Sequence, residues 1–438
     1  MQYDVVVIGS GIGGMCAVAK LAHAGQRVMV LEKMPILGGR YSSVIIEGQV
    51  VHHGSAVILW GEGGPVWQTL QEVDAPKFET KALTKTRFCL GGKTLDIEVD
   101  RMHDIKPLLD LASSDEKEKM RVMLALQSAA MWREPSDAIT AEEWLGQYTE
   151  NKSILALFNR IASSSSGTNL NEIKAGEFVR EMKTSGALAK PPLVVKDGLI
   201  EVIKSFETVI KQHNGEVLTE CNVTEIRVKD GVVTGVVAEK NGKRMEIEAK
   251  VVISNVGPVK TIELAGRVNF ELSYLKEVEE KIRPCCGIVF EVTTTKPLLD
   301  FAGMMFTADP GMRVSVWFIL GGLWDHWAPK GKYLLHGWLV PSDNLSYDPA
   351  KEYEAFLKEA KEFFPNWDDC EPEVERVKNF SGAWPAGRSW PGYRISQRTS
   401  IKNLYCVGDG NSPSGFPGGE GAAESGRRAA EQIVKTMD

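Results

Sequence analysis

Four consecutive apolar residues, Val5-Val6-Val7-Ile8, run straight into Gly9-Ser10-Gly11-Ile12-Gly13-Gly14, and few folds accept that junction. The run is short, β-branched and without alternation, which reads as a parallel strand buried on both faces. Gly9, Gly11 and Gly14 then fall at the G-x-G-x-x-G spacing. The first allows a tight turn, the second lets the backbone approach a pyrophosphate, and the third lets helix and strand pack closely. A helix that follows directs its free N–H groups and the positive end of its dipole at that pyrophosphate. A second strand, Arg27-Val28-Met29-Val30-Leu31, ends at Glu32. That is about twenty residues past the glycines, where a carboxylate meets ribose hydroxyls and opposes a 2′-phosphate. Ile12, Gly13 and Lys33 belong to the same cradle, and together these features define a dinucleotide-binding unit.

Two further segments refine the ligand. Met34-Pro35-Ile36-Leu37-Gly38-Gly39-Arg40 is a loop whose glycine pair invites close approach, with Arg40 as a phosphate partner. Near the C-terminus a buried strand, Leu404-Tyr405-Cys406-Val407, ends in Gly408-Asp409. A glycine-rich turn and a small-residue helix start, Gly418-Gly419-Glu420-Gly421-Ala422-Ala423-Glu424-Ser425-Gly426, follow it. Glu32 with Gly38-Gly39-Arg40, and the C-terminal run, resemble the flavin-dependent amine oxidase and phytoene desaturase superfamily. The resemblance implies FAD as cofactor. It also implies an α/β chain with a Rossmann-like FAD-binding lobe of the two-dinucleotide-binding-domain type and a discontinuous α+β substrate lobe. By the same resemblance Gly54 and Ser55 lie beside the flavin and the backbone of Val223 meets the adenine. Asn255 sits in the Ser-Asn-x-x-Pro turn that closes a cofactor strand, Asp409 binds the ribityl chain or pyrophosphate, and Gly418, Gly419, Gly421 and Ala422 lie against the ring. A helix start there would stabilise negative charge on the reduced ring.

The chain, 438 residues long, is too long for one simple core. The motifs assign residues 1–70, 195–258 and 400–438 to the cofactor lobe and 71–194 and 259–399 to the substrate lobe, with a helical part over 104–182 and an aromatic-rich sheet over 285–396. Asp230-Gly231 and Asn241-Gly242 predict hairpin turns in a meander that precedes a separate last strand, Lys250 to Asn255. Gly91-Gly92-Lys93 predicts another hairpin. Thr140 and Glu143 form a capping box, and Ser163 to Gly167 reads as a loop. Met120, Met123, Met131 and Trp132 are candidates for a greasy cavity wall, with plain core as the commoner role of such a stripe.

A net charge of −7 without a basic block argues against nucleic acid as a partner. Seven scattered cysteines without a C-x-x-C pair suggest neither a disulfide framework nor a metal site. No apolar run reaches the roughly 18 residues of a spanning helix, and the start has no signal-peptide character. The expectation is a cytoplasmic protein, with peripheral membrane contact left open.

Seven of eleven tryptophans fall between Val259 and Ser396, and Trp60, Trp317, Trp338, Trp384 and Trp390 are the candidates for a substrate pocket. Where the resembled family has an Asp-x-Gly turn beside the flavin, this chain has His52-His53-Gly54. His52 and His53 are therefore the candidate proton-relay residues, with His326 and His336 behind them. The implied function is an FAD-dependent oxidoreductase that desaturates a C–C bond of an apolar substrate, terpenoid, carotenoid-like or alicyclic, by hydride transfer to flavin N5, passing electrons to oxygen, a quinone or a protein. Amine oxidation, isomerisation and, from another class, a lipid-binding escort role are the alternatives.

Overall fold

A computed structural model describes residues 2–99 and 104–437. Two seven-stranded sheets organise them. At the centre of the first sheet, Gln2–Ile8 lies parallel to Val28–Leu31 on one side and to the second half of Lys243–Ser254 on the other. Its apolar run is buried on both faces. Val5 and Val7 pack under the helices Ile12–His23, Ile200–Gln212 and Gly418–Met437, while Val6 and Ile8 pack with the meander side and the helix Leu272–Lys281. Glu216–Leu218 and Leu404–Cys406 extend the parallel part. Thus the C-terminal motif reaches the sheet beside the N-terminal one.

Cys221–Lys229, Val232–Lys240 and Lys243–Ser254 form the expected antiparallel meander. Both turns have positive φ at each central residue, Asp230 51° and Gly231 73°, then Asn241 52° and Gly242 71°, matching the right-handed twist of the strands they join. The separate last strand is not separate: Lys243–Ser254 is one strand of 12 residues that changes partners at Glu248. Its burial alternates as far as Lys250 and is continuous from Val251, where it lies beside Val5 to Ile8, so the sequence pattern breaks although the chain does not.

The second sheet runs Glu373–Phe380, Gly287–Thr294, Tyr333–Leu339, Val314–Ile319, Gly303–Thr307, Lys85–Leu90 and Lys93–Glu98, the last two being the predicted hairpin. Strand alternation separates its faces. Phe290, Val292, Trp317, Ile319, Leu335 and Leu339 pack beneath the helix Pro349–Phe363. Val289, Val316, Phe318, His336, Trp338 and Phe380 face a cavity instead.

The helical part has its own core, and the Thr140–Glu143 capping box forms. Two expectations fail here. The helix Lys152–Ser166 carries the serine run, ending at Gly167 with φ 70°. Ser163 and Ser165 donate to carbonyls three and four residues back, which satisfies the hydroxyls that would otherwise favour a loop. Met120, Met131 and Trp132 are 53, 71 and 80% exposed, because the stripe Val122, Ala125, Leu126 and Ala129 is the one turned to the core. Among the described residues no helix is long and apolar enough to cross a membrane.

Candidate active site

The N-terminal glycines sit where the helix Ile12–His23 leaves the first sheet, and Gly11 caps that helix without a side-chain hydrogen bond, so its first N–H groups remain available to a ligand. Glu32 is held in place from its own chain. Ser10 donates to it from N–H (2.8 Å) and Oγ (2.7 Å), and the Met34 N–H donates at 2.9 Å. Ser10 Oγ also accepts the Gly38 N–H at 3.0 Å, and Gly11 bridges to Gly38, so the two glycine motifs form one cradle. A Cβ on Gly13 would lie 2.7 Å from the Ala422 carbonyl and 3.1 Å from the Gly408 nitrogen. The three sequence segments therefore meet at backbone distance, and only glycine fits between them.

Arg40 and Asp409, both expected to meet the cofactor separately, pair with each other: Arg40 Nη2 donates to Asp409 Oδ1 at 2.9 Å, and Arg40 also donates to the carbonyls of Pro385 and Ala386. Burial raises the Asp409 carboxyl, but the charges of Arg40 and Arg388 outweigh it and hold it at about 2. Arg388, which the sequence reading missed, lines the cavity; among the described residues its guanidinium has no hydrogen-bond partner, while its N–H donates to Asp409. Its side chain lies beside Gly257 and Gly410 and its charge helps to hold the Asp409 carboxyl down; nothing but its place in the Trp384-to-Tyr393 run upstream of the cofactor motif pointed to it. Glu420, in the first turn of Gly418–Met437, accepts the N–H groups of Trp60 and Val66 at 3.2 Å. Burial pushes its carboxyl up to about 7 against those two donors.

One cavity of about 1190 Å³ runs from this cradle to the second sheet. That exceeds the roughly 300–1,000 Å³ of an ordinary ligand pocket and leaves room beyond a cofactor. Gly9, Gly11, Ile12, Gly13, Glu32, Lys33, Gly38, Gly39, Arg40, Gly54, Ser55, Val223, Asn255, Gly408, Asp409, Gly418, Gly419 and Ala422 line it. Gly14 and Gly421 lie behind the wall, where a Cβ would strike the carbonyls of Gly9 (2.6 Å) and Phe416 (2.1 Å). Their work is close packing of the helix starts. The uncapped start of Ile12–His23, the side-chain-free cradle and the anchored Glu32 carboxylate fit an FAD.

Of the five tryptophans, Trp338 and Trp384 line the cavity. Trp317 is fully buried on the opposite face of the second sheet against Phe290 and Phe364. It is odd in register to Val316 and Phe318, so alternation turns it away. Trp60 packs on Phe416, and Trp390 on Tyr393. The histidines also differ from expectation. His52 is buried behind the wall with Nδ1 2.7 Å from Glu291, and His53 is half-buried beside it; neither lines the cavity. His336, two residues before Trp338 on the same face, does.

A Rossmann-type sheet, a three-part glycine cradle and a second sheet roofing one continuous cavity define an FAD-dependent oxidoreductase. The family model for flavin containing amine oxidoreductases matches residues 12–434, and the chain belongs to that family, with FAD as its cofactor. It is 26% identical to prolycopene isomerase 1, chloroplastic, of an Oncidium hybrid cultivar, over 95% of this chain and 81% of that one. It is 42% identical to phytoene desaturase of Fusarium fujikuroi over 59 residues, 14% of this chain and 10% of that one. In fold it is similar to an oxidoreductase from Methanosarcina mazei (TM-score 0.84, 24% identity, 98% of this chain and 100% of that one). Putrescine oxidase shares the fold at TM-score 0.72 and 16% identity, over 99% of each chain.

Proposed function

We propose that this chain is a dehydrogenase that desaturates a C–C bond of an apolar substrate lodged against the second sheet. The observation that supports it is the chemistry of the wall, where Val57, Val289, Val316, Phe318, Trp338 and Phe380 present apolar surface. Among the described residues, every carboxylate on the wall already has a partner. Glu32 accepts from Ser10, Asp409 from Arg40, Glu420 from two backbone N–H groups, and Glu263 and Glu279 pair with Lys260 and Arg267. An ammonium group buried here would find no free counter-charge and would lose several kcal/mol of hydration. A hydrocarbon gains about 25 cal/mol for each Å² removed from water. Amine oxidation is the less favoured reading for that reason.

The bound flavin supplies an acceptor for a hydride from the substrate. The residues of the chain hold a hydrocarbon in place, exclude water from it and offer His336 as the polar group on the second-sheet wall. Isomerisation is the second reading, favoured by the similarity to prolycopene isomerases along 95% of the chain; it needs the same wall and differs in showing no net oxidation. The partners proposed with either reading are a small apolar substrate, an electron acceptor such as oxygen, a quinone or a protein, and a membrane surface touched peripherally.

The experiment is anaerobic. Holoenzyme is mixed with prolycopene, phytoene or geranylgeraniol, and in parallel with putrescine, cyclohexylamine or benzylamine, while the visible absorption of the flavin is followed. Bleaching by one of the apolar compounds is the expected result. Bleaching by an amine alone refutes the proposal, and conversion of prolycopene without bleaching selects isomerisation.

A further inference from the structure

At the second-sheet end of the cavity lies a buried polar cluster that the cofactor cradle does not use. Glu291, on Gly287–Thr294, is its centre. His52 reaches it twice, with Nδ1 at 2.7 Å and its backbone N–H at 3.2 Å. Arg376 Nη1 lies 3.2 Å from its second oxygen, and His336 Nδ1 lies 3.7 Å from its first. Lys378 closes the group by donating to the His52 carbonyl at 2.7 Å. Alternation brings these residues together: Glu291, His336, Arg376 and Lys378 all share the cavity face with Val289, Trp338 and Phe380.

Only His336 of the cluster lines the cavity. Its Nδ1 is buried 3.7 Å from Glu291, beyond hydrogen-bond distance, which leaves Nε2 as the ring nitrogen on the cavity side. The surroundings fix its form. Burial would raise the Glu291 carboxyl, but His336 and His52 outweigh burial and hold it well below the usual carboxylate range, so it is ionised. Burial lowers His336, with His52 and Lys378 adding to that and Glu291 opposing it, so the ring is neutral near pH 7 and able to accept a proton. Once charged, the imidazolium would sit beside an ionised carboxylate already in place.

We propose that His336 is the catalytic base of this cavity, taking a proton from the substrate at Nε2 while Glu291, at ion-pair distance from Nδ1, stabilises its charged form. His52, Arg376 and Lys378 are positioning residues that hold Glu291. The inference rests on the desaturation proposed above. In that reaction one C–H bond gives up a hydride to the flavin, and the vicinal C–H bond breaks toward His336. Its proton forms the new N–H bond and its electron pair becomes the new π bond, so two hydrogens and two electrons leave the substrate. Fast return of that proton from the imidazolium would serve an isomerase equally.

His52, Glu291 and His336 also resemble a metal site, since their ligand atoms lie within 4.8 Å of one another. The two cationic side chains argue against it, because a divalent ion among them would meet Arg376 and Lys378 at like charge.

The test uses the FAD holoenzyme, the apolar compound among the three above that bleaches it fastest, and His336→Gln. With retained flavin and KM, the bleaching rate should fall by roughly 10²–10⁴-fold, and the acid limb of its pH profile should disappear. Independent of turnover, diethyl pyrocarbonate should modify His336 and spare His52. Glu291→Gln should lower the pH at which half of the His336 sites react, and should Glu291→Gln fail to bind flavin, His336→Gln carries the test alone. Bleaching by His336→Gln within about threefold of wild type and with the same pH profile overturns the proposal. Zinc or iron bound at one equivalent and lost in His336→Gln also overturns it. If none of the three compounds bleaches the wild type, the desaturase reading falls and this step with it, whereas bleaching unaffected by the variant leaves that reading standing.

Discussion

The backbone contact between the N-terminal and C-terminal cofactor segments makes a specific prediction for Gly13→Ala. Position 13 lies in the first turn of a helix, so alanine meets no conformational strain there and gains about 1 kcal/mol of helix propensity. Against that gain, its Cβ would stand 2.7 Å from the Ala422 carbonyl and 3.1 Å from the Gly408 nitrogen. Neither neighbour is a side chain that can rotate away, so the N-terminal helix must move off the C-terminal one. Overpacking of this kind costs about 1–3 kcal/mol. The net loss of apo stability is then about 0–2 kcal/mol, the difference of the two. The larger effect is on the ligand. Separation of the segments forfeits at least one charge-assisted hydrogen bond to FAD, worth about 1.5–3 kcal/mol, or roughly a 10- to 100-fold weaker Kd. Gly11→Ala behaves differently. Its Cβ meets only the Asn255 Nδ2 amide, at 2.5 Å, the far end of a side chain that can turn. It should keep the apo melting temperature and lose flavin affinity alone, because the new methyl faces the pyrophosphate. Differential scanning fluorimetry of apo protein and flavin titration by fluorescence quenching measure both quantities. Wild-type FAD affinity in Gly13→Ala, or an apo melting temperature lowered more in Gly11→Ala than in Gly13→Ala, would refute the reasoning.

Three further outcomes are expected. Glu420 is raised from 4.5 to about 7, so its contribution to stability is present below the unfolded value and is lost as pH rises through the folded one. The slope of stability between about pH 4.5 and 7, worth about 3 kcal/mol, should flatten in Glu420→Gln when urea melts are compared across that range. Asp409 is depressed to about 2, so its contribution is present above the unfolded value and is lost as pH falls toward the folded one. Asp409→Asn should leave Arg40 and Arg388 without a counter-charge, cost about 3 kcal/mol at neutral pH and remove the acid transition near that pair, as read by urea melts at successive pH values. Trp317→Ala should cost about 3–5 kcal/mol by denaturant titration with little change in the rate of flavin bleaching, whereas Trp338→Ala should act on bleaching; equal effects of both on bleaching would contradict the division of the sheet into two faces.

How far the sequence could be read follows from how local each constraint is. Gly9, Gly11, Glu32 and Gly38 answer to a turn, a helix start and a strand end, all within a few residues of themselves, and their spacing shows directly in the chain. The same holds for Asp230-Gly231 and Asn241-Gly242, whose positive φ values are a demand of the turn itself. The pairing of Arg40 with Asp409 was not legible, because it joins residues 369 apart and depends on which strand lies next to which. Arg388 was invisible for the same reason.

The second sheet shows the limit most clearly. Within each of its strands the alternation is readable, so Val316 and Phe318 share a face, and so do His336 and Trp338. Which of the two faces meets the cavity is a separate matter, settled by the helix Pro349–Phe363 covering the other one. A tryptophan-rich sequence therefore identifies the sheet that carries a pocket but divides its tryptophans blindly: Trp317 and Trp338 look equivalent in sequence and lie on opposite faces. His52 was chosen because it stands where the resembled family has an acid. The fold instead supplies an acid opposite that position, Glu291, from a strand 239 residues away. The carboxylate is thus present in the neighbourhood but reached through a histidine, and the polar residue turned to the cavity is His336, on the strand next to it. A motif written along the chain records a departure at His52; only the register of Gly287–Thr294 against Tyr333–Leu339 shows where the charge stands.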